Sequence, residues 1–280
     1  MQYLEPTTLE EALDILAEHG DAAKVMAGGQ SLLILLRERF VDPEVLVGLN
    51  GIEPLRHLDV NGGASIGAMV THATIERDPR IIGGWPLLAA AEAAVSTVQI
   101  RNRGTLCGSV AHAFPTADPP AALIASDARI HLASKQGGTR EVAAEDFFVG
   151  IMETVARPEE VVTAVSLPPQ PDGARGAYLK YAVRPLDFAI VGAAARVVLA
   201  PDGTITDARI GLNGAANHTL RATEAEALLL GERPSPELFG RAGAAAAHQS
   251  APLDDVDGSA EYKRRVVGVY TRRVLARALE

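Results

Sequence analysis

The chain has 280 residues, of which 48% are hydrophobic and 22% charged, so it is long enough for one large or two to three small domains with a buried core. Its formal net charge of −9 argues against nucleic acid or an anionic membrane as main partner, and a single cysteine, Cys107, excludes an internal disulfide and an all-cysteine iron–sulfur cluster held by this chain alone. No run approaches the roughly 20 apolar residues that span a bilayer, and the N-terminus lacks signal-peptide features, so we expect a cytoplasmic protein without a membrane-spanning segment.

The first 53 residues alternate helix and strand signals. Thr7 or Thr8, followed by Glu10 and Glu11, predicts a capping box at the start of a helix. Three further segments predict a strand, a helix and a strand: AAKVMA (22–27), SLLILLRERF (31–40) and EVLVGLN (44–50). The order αβαβ indicates a small α/β unit.

The next part of the chain, residues 54–172, changes period. Five segments predict strands: LRHLDV (55–60), ASIGAMV (64–70), ARIHLAS (128–134), REV (140–142) and VVTAVSLP (161–168). Two predict helices: THATIERDP (71–79) and WPLLAAAEAAV (85–95). The stretch between them and the later strands, residues 96–126, is rich in polar residues, glycine and proline. Because it is too long for an idle connection, we expect a functional loop there.

A proline- and glycine-rich linker at 168–176 introduces the last part of the chain. Three strands follow, at 177–183, 189–200 and 204–216, and then three helices, at 222–231, 235–249 and 262–279. An antiparallel sheet with helices gathered after it is an α+β domain. The predicted organisation is therefore α/β plus α+β, in domains 1–53, 54–172 and 173–280.

Gly28 and Gly29 lie in a turn between a predicted strand and a predicted helix that begins near Ser31. Glycine lets the backbone approach a ligand closely, and a helix N-terminus attracts an anion, so this turn is a candidate phosphate cradle. The alternative is a plain strand-to-helix turn with Ser31 as its N-cap. The pattern is neither a dinucleotide GxGxxG nor a Walker A loop.

A second candidate loop contains Gly104, Thr105, Gly108 and Ser109, which offer backbone amides and hydroxyls within a few residues. Two such loops in one chain suggest one diphosphate held from both sides. The alternative is a purely structural loop.

Charged residues flank this second loop. Arg101 and Arg103 could neutralise a diphosphate. Asp118 suits a ribose hydroxyl or a ring N–H better than a phosphate.

Several other residues favour structural over chemical roles. His112 has no second ligand at metal-binding spacing, so we expect no metal site. Cys107 has no His/Asp constellation around it and is typical of a small buried hydrophobe. Trp85 is expected in the core. The basic residues of the last helix are expected to form one solvated face.

Four segments, taken in order, resemble a known family: AGGQSLL (27–33), SIGAMVTHATIE (65–76), QIRNRGTLCGSVAHAFPTADPPAAL (99–123) and YLKYAVRPLDFAIVGAAA (178–195). They are similar to the FAD-binding medium subunits of molybdenum hydroxylases, the group of carbon monoxide dehydrogenase and xanthine dehydrogenase. The segment 253–279 resembles the C-terminal domain of the carbon monoxide dehydrogenase branch. The resemblance implies a two-subdomain FAD-binding domain of the vanillyl-alcohol-oxidase type, followed by a C-terminal antiparallel sheet with three helices.

The resemblance also implies particular FAD contacts, with no catalytic residue in this chain. The first loop would hold the diphosphate through Val25, Met26, Ala27, Gly28, Gly29, Gln30, Ser31 and Leu32. The second loop would hold it through Thr105, Gly108 and Ser109. Further contacts to the nucleotide and the flavin fall at Asp118, Val162, Lys180 and Phe188.

Two positions depart from the family pattern. Cys107 stands where the second loop usually has glycine, which would loosen the fit unless the thiol points away. Phe114 stands where many relatives carry aspartate, which reduces the polarity of the loop.

The function implied by the resemblance is an electron relay. Non-covalent FAD on this chain would receive electrons from [2Fe–2S] clusters on a small subunit, fed by molybdopterin on a large subunit, and would pass them to an external acceptor. The assembly would be a dimer of heterotrimers. Two other functions stay open: a stand-alone FAD-dependent oxidoreductase, with His112 or Cys107 as candidates for a covalent flavin link, and a FAD-free structural subunit.

Overall fold

The structure, a computed structural model, describes all 280 residues. Its strands are β1 (Gln2–Leu4), β2 (Ala23–Met26), β3 (Val45–Gly48), β4 (Leu58–Val60), β5 (Ala64–Gly67), β6 (Arg129–Ser134), β7 (Gly138–Ala143), β8 (Phe148–Gly150), β9 (Glu153–Thr154), β10 (Val161–Leu167), β11 (Arg175–Tyr181), β12 (Val191–Leu199), β13 (Ile205–Asn213) and β14 (Leu220–Arg221). Its helices are α1 (Leu9–His19), α2 (Leu32–Arg37), α3 (His72–Arg77), α4 (Pro79–Gly84), α5 (Pro86–Ala93), α6 (Val98–Arg101), α7 (Leu106–His112), α8 (Asp118–Ala125), α9 (Ala144–Phe147), α10 (Thr223–Leu229), α11 (Pro236–Gln249) and α12 (Ala260–Leu279).

The N-terminal sheet is parallel, in the order β1-β3-β2. Helix α1 starts with the expected capping box: the Thr8 side chain accepts from the Glu11 N–H, and the Glu11 side chain accepts from the Thr8 N–H. The predicted αβαβ order is wrong at its beginning, because β1 pairs with β3 and makes the order βαβαβ. This strand is three residues long and partly exposed, so it has no alternating pattern that a sequence could show.

The second sheet is antiparallel, in the order β4-β5-β10-β6-β7. The segment 96–126, expected to be a loop, contains the three short helices α6, α7 and α8. Thr97 and Thr105 cap the first two of these helices by accepting backbone N–H groups. Prolines in its first turn open α8, whose eight residues are all buried. Burial, which a local pattern does not report, stabilises α7 and α8.

The C-terminal sheet is antiparallel, in the order β11-β12-β13-β14, and α10, α11 and α12 follow it. Two expectations are wrong here. β11 begins at Arg175, inside the predicted linker, and Lys263 of the last helix is buried instead of solvated. The Lys263 ammonium pairs with the Asp255 carboxylate and donates to the Leu253 carbonyl at 3.1 Å, so its charge is satisfied inside the fold.

Two hydrophobic cores hold the chain together. The first extends over residues 12–167, includes Trp85 as expected, and recruits Tyr178 and Ala194 from the C-terminal sheet. The second is formed by residues of the C-terminal sheet and its helices. Helix α8 lies directly on β13: a Cβ at Gly211 would come within 2.1 Å of the Ala121 carbonyl oxygen. None of the helices combines the length and the apolar character that crossing a membrane requires.

The crossing of α11 and α12 generates a prediction about stability. A Cβ at Gly243 would lie 2.4 Å from the Gly268 carbonyl oxygen, whereas a Cβ at Gly240, in the same helix, would meet nothing within 4 Å. We expect Gly243→Ala to lower the free energy of unfolding by about 2 kcal/mol, because two helix backbones must separate. The matched control Gly240→Ala should raise it by up to about 1 kcal/mol through helix propensity. Urea unfolding of both variants measures the difference, and equal effects would contradict the proposed contact.

Candidate functional site

The first glycine turn joins the end of β2 to the start of α2. Gly29 has φ of +73°, a conformation that side chains rarely adopt. The backbone N–H groups of Gly28, Gly29, Gln30 and Ser31 donate no hydrogen bond within the chain. Ser31 occupies the N-cap position of α2, as the alternative expected, but its side chain makes no capping hydrogen bond. The turn therefore presents a row of free donors.

The second turn leads into α7. The Thr105 hydroxyl accepts from the Gly108 N–H at 3.1 Å, and the Thr105 carbonyl accepts from the Ser109 N–H at 3.0 Å. Thr105 itself is buried and pairs with Thr71 in an isolated β-bridge. These contacts make the second turn rigid and leave Gly108 and Ser109 on the surface of the same cavity as the first turn.

The two turns touch through their backbones. A Cβ at Gly28 would lie 2.0 Å from the Arg103 carbonyl oxygen and 2.8 Å from Gly104 Cα. Glycine at position 28 is therefore required by the packing of one turn on the other. The structural interpretation of this glycine and its interpretation as part of a phosphate cradle are therefore compatible. Its packing is what brings the two turns to one site.

The two arginines upstream of the second turn do not line the cavity. The Arg101 guanidinium pairs with the Glu76 carboxylate at 2.8 Å and donates to the carbonyls of Val95 and Ser96. The expectation that Arg101 neutralises a bound diphosphate is wrong for this reason, whereas Arg103 is exposed and lies outside the cavity lining, so its role stays a prediction. Arg101 instead locks the segment that carries the second turn, including Ser96, which has φ of +38°.

One large cavity, of about 920 Å³, lies between the two turns. Fourteen of the fifteen residues predicted as FAD contacts line it: Val25, Met26, Ala27, Gly28, Gly29, Gln30, Ser31, Leu32, Thr105, Gly108, Ser109, Asp118, Val162 and Phe188. The exception is Lys180, which does not line it. Elements far apart in sequence thus converge on one concave surface.

Asp118 is 4% exposed and sits in a hydrogen-bonded network with the C-terminal sheet. The Tyr178 hydroxyl donates to Asp118 Oδ1 at 2.5 Å, and Lys180 Nζ donates to Oδ2 at 3.0 Å and to the Ala94 carbonyl at 2.8 Å. The Asn213 amide donates to the Ala117 carbonyl at 2.9 Å. Burial raises the pKa of Asp118 to about 6, while the Lys180 ammonium and the Tyr178 hydroxyl act in the opposite direction. Lys180 therefore contacts the Asp118 carboxylate and does not reach the cavity surface itself.

An aromatic row lies along one side of the cavity. The rings of His112 and Phe114 are stacked at 5.9 Å between centroids, and Phe114 and Phe188 approach at 5.1 Å. Burial lowers the pKa of His112, which favours the neutral imidazole. Phe188 is 60% exposed, so this row reaches from the second turn to the cavity mouth.

Cys107 is 2% exposed, and its thiol points toward the Ile66 carbonyl oxygen, at 3.8 Å. Burial raises its pKa well above the usual range, so the thiol stays protonated. It behaves as the small buried hydrophobe that the sequence predicted. Its side chain does not fill the second turn.

Some cavity residues escaped sequence reasoning. His72 lines the cavity at the start of α3, where the sequence indicated only a short capped helix. Met152 lines it from the β8–β9 turn with φ of +57°, and nothing in its sequence context marks it. Across the whole chain, no group of three or more His, Cys, Asp or Glu side chains is arranged to hold a metal ion.

The donor set fits a dinucleotide flavin. The volume lies within the usual range of about 300–1,000 Å³ for small-molecule sites. Free backbone N–H groups suit a diphosphate, a buried carboxylate suits hydroxyl or ring N–H donors, and apolar walls suit an aromatic ring system. The fold and the site define a protein that binds a large anionic cofactor between an α/β lobe and an antiparallel sheet.

Two family models match the chain in succession. Residues 1–170 match the FAD binding domain in molybdopterin dehydrogenase, and residues 176–278 match the CO dehydrogenase flavoprotein C-terminal domain.

Individual relatives agree with these models over nearly their whole length. The nicotine 6-hydroxylase medium subunit of Paenarthrobacter nicotinovorans is 36% identical, with 99% of this chain and 97% of the relative covered. The carbon monoxide dehydrogenase medium chain of Hydrogenophaga pseudoflava is 35% identical, with coverage of 98% and 95%. The solved carbon monoxide dehydrogenase from the same organism, which lacks the Mo-pyranopterin moiety, superposes with a TM-score of 0.96 at 35% identity, covering 100% of this chain and 97% of that one.

The chain therefore belongs to the family of FAD-binding medium subunits of molybdenum hydroxylases, and FAD is its cofactor. This confirms the resemblance noted in the sequence and the implied fold, a FAD-binding domain followed by an antiparallel sheet with helices. Its relatives are medium subunits of multi-subunit oxidoreductases.

The contact between the two turns predicts the effect of Gly28→Ala. The added methyl group would collide with the Arg103 carbonyl oxygen, so the turns must separate. We expect FAD to bind at least tenfold more weakly, measured by fluorescence titration of the FAD-free chain. The control Gly83→Ala, whose Cβ would meet nothing within 4 Å, should leave the FAD Kd unchanged. Unaltered binding in Gly28→Ala would show that the turns do not need this contact.

The raised pKa of Asp118 predicts a pH dependence of stability. Because the folded chain holds the Asp118 proton up to about pH 6 and the unfolded chain releases it near pH 4, stability from this group is lost between those values as pH rises. We expect the unfolding free energy of the FAD-free wild type to fall by about 2 kcal/mol relative to Asp118→Asn over this interval. Urea unfolding at several pH values measures the difference. Parallel curves for the two proteins would contradict it.

Proposed function

We propose that this chain is the flavin relay of a molybdenum-containing hydroxylase or dehydrogenase, receiving electrons from an iron–sulfur subunit and passing them to an external acceptor. We further propose a dimer of heterotrimers with a molybdenum-binding large subunit and an iron–sulfur small subunit. The observation that carries the proposal is one cavity lined by both glycine turns, in a chain that matches FAD-binding medium subunits from end to end.

We propose the fourteen lining residues named above as the FAD contacts. The free N–H groups of Gly28 to Ser31 would hold the diphosphate, and the Asp118 carboxylate would accept a hydrogen bond from the nucleotide. Val162 supplies part of the apolar wall. We also propose domain boundaries near residues 53 and 173, supported by the four sheets, including the two-stranded sheet β8-β9, each of which lies within one of the resulting segments.

Bound FAD supplies the redox chemistry, and the protein supplies binding, orientation and electrostatics. The chain's own residues then act in fixed places. Lys180 neutralises Asp118 from behind, and Tyr178, whose pKa burial raises, keeps its proton and orients the carboxylate. No residue of this chain is required as a general acid or base.

The rim of the cavity favours a partner subunit. Ile34, Met152, Val183, Leu186 and Phe188 line the cavity and are all exposed large hydrophobic side chains. Clustered apolar exposure of this kind marks interaction sites in soluble proteins. A subunit docked here would approach the cavity mouth, which is what an electron relay needs.

The substrate of the complex is proposed to be chosen outside this chain. Relatives of nearly equal identity are named for nicotine and for carbon monoxide, two substrates of very different size and polarity. Medium subunits of similar identity to this chain thus belong to enzymes that are named for very different substrates. We therefore assign substrate choice to the molybdenum subunit.

The two alternative functions have less support. A covalent flavin enzyme would use Cys107 or His112, but the Cys107 thiol is buried and protonated, and its side chain lies against the Ile66 carbonyl. A FAD-free scaffold would need the Cys107 side chain to prevent the second turn from binding FAD. The thiol points toward the Ile66 carbonyl instead, which argues against this alternative as well.

Purification of the complex through a tag on this chain tests the proposal. We expect two further subunits to co-elute, an absorption spectrum with flavin and iron–sulfur bands, and free FAD in the supernatant after acid precipitation. Yellow colour that stays with the precipitate would favour the covalent flavoenzyme. A colourless chain that takes up no FAD from excess cofactor would favour the scaffold.

A further inference from the structure

A buried histidine–carboxylate pair lies beside the cavity and has no part in the function proposed above. His72 Nδ1 is hydrogen-bonded to Glu92 Oε2. Glu92 is 0% exposed, and its other oxygen, Oε1, has no hydrogen-bond partner. A carboxylate buried in this way costs several kcal/mol unless a partner compensates it, and a hydrophobic residue would fill the same space without that cost. The pair therefore calls for a functional explanation.

The second ring nitrogen of His72 is available to a ligand. His72 lines the cavity, and its Nε2 forms no hydrogen bond within the chain, whereas Nδ1 is held by Glu92. A carboxylate on Nδ1 fixes the orientation of the ring and keeps a proton on that nitrogen. When the imidazole also carries a proton on Nε2, it presents a buried N–H donor to the cavity.

The position of His72 points to the diphosphate of the cofactor. The backbone N–H of His72 donates to the Gly104 carbonyl at 3.0 Å. The His72 ring lies against the same glycine, because a Cβ at Gly104 would lie 3.0 Å from His72 Cδ2 and 3.3 Å from Nε2. Gly104 Cα is also one of the atoms that a Cβ at Gly28 would meet, at 2.8 Å, so His72 lies next to the point where the two glycine turns meet. These are the turns that the proposed function assigns to the diphosphate.

No buried lysine or arginine lines the cavity, so a buried histidine N–H would add a kind of donor that the cavity otherwise lacks. The only lysine and arginine that line the cavity, Lys24 and Arg157, are both exposed at its surface. Arg101 is engaged by Glu76, and Lys180 by Asp118. A buried hydrogen bond from an ionised or polarised donor to a phosphate is stronger than one exposed to solvent.

We propose that His72 is a FAD-binding residue whose Nε2–H donates to the cofactor diphosphate, and that Glu92 is the positioning residue that orients it. The inference rests on the proposed placement of FAD in this cavity. It adds to the two glycine turns a side-chain donor from a third segment of the chain.

Substitution of His72 by asparagine separates the two roles of the ring. The asparagine amide can still donate to Glu92 in place of Nδ1, but it leaves no donor in place of Nε2. We expect His72→Asn to weaken binding of FAD and of ADP, each by about tenfold, because both ligands contain the diphosphate. The measurements are fluorescence and calorimetric titrations of the full FAD-free chain, with thermal unfolding to verify that each variant folds.

His131 provides a matched control. It also pairs with a glutamate, Glu141, at 3.5 Å, but it does not line the cavity. His131→Asn should leave both affinities unchanged. Weaker FAD binding by His72→Asn with unaltered ADP binding would overturn the proposal, because the contact would then lie at the flavin end. Unaltered binding of both ligands would also overturn it, and would leave the pair as part of the core only.

Glu92→Gln gives a second, independent test, which also serves if His72→Asn does not fold. The glutamine oxygen still accepts from Nδ1, but the negative charge behind the ring is gone, so a hydrogen bond from Nε2 to an anion loses its charge assistance. We expect weaker ADP binding, with no further loss in the double variant His72→Asn/Glu92→Gln. Additive losses would contradict an action of Glu92 through His72. A wild-type chain that binds neither FAD nor ADP would instead refute the placement of FAD in this cavity.

Discussion

The backbone contact between the two glycine turns is the constraint on which the site depends. Position 28 has no space for a side chain, because the Arg103 carbonyl oxygen occupies it, and this close packing sets one turn against the other. The first turn belongs to a parallel βαβ unit and the second to a lobe built on an antiparallel sheet. The cavity lies where these two units meet at bare backbone, and the N–H groups of the first turn, Gly28 to Ser31, have no partner within the chain.

The C-terminal sheet completes the site from behind. Helix α8 packs on β13 at Gly211, and the Asp118 carboxylate at its first position takes hydrogen bonds from Tyr178 and Lys180 of β11. A domain that looks separate in sequence thus orients a residue of the cofactor cavity. The proposed FAD site therefore also depends on the C-terminal domain, although few of its residues line the cavity: Val183, Leu186, Asp187, Phe188, Ile190 and Asp257.

Three largely buried basic side chains share one arrangement. Arg101, Lys180 and Lys263 are each paired with a carboxylate and donate to backbone carbonyls, so their cost of burial is offset locally. As a result, Arg101 and Lys263, which a linear reading assigns to an anion and to solvent, are committed to the scaffold. The cofactor anion is left to backbone amides and, by the inference above, to His72.

The sequence alone determined the fold class, the strands with clear alternation, the capped helices and the two glycine turns, because these depend on local periodicity, caps and backbone freedom. Its motifs also identified the family. Tertiary structure alone decided that β1 exists and that residues 96–126 are mostly helical. It also decided that Arg101 pairs with Glu76 and Lys180 with Asp118, and that neither basic residue lines the cavity. These features arise from pairing and burial between segments far apart in the chain. His72 belongs with them, because only the folded chain brings it beneath Gly104 and against Glu92.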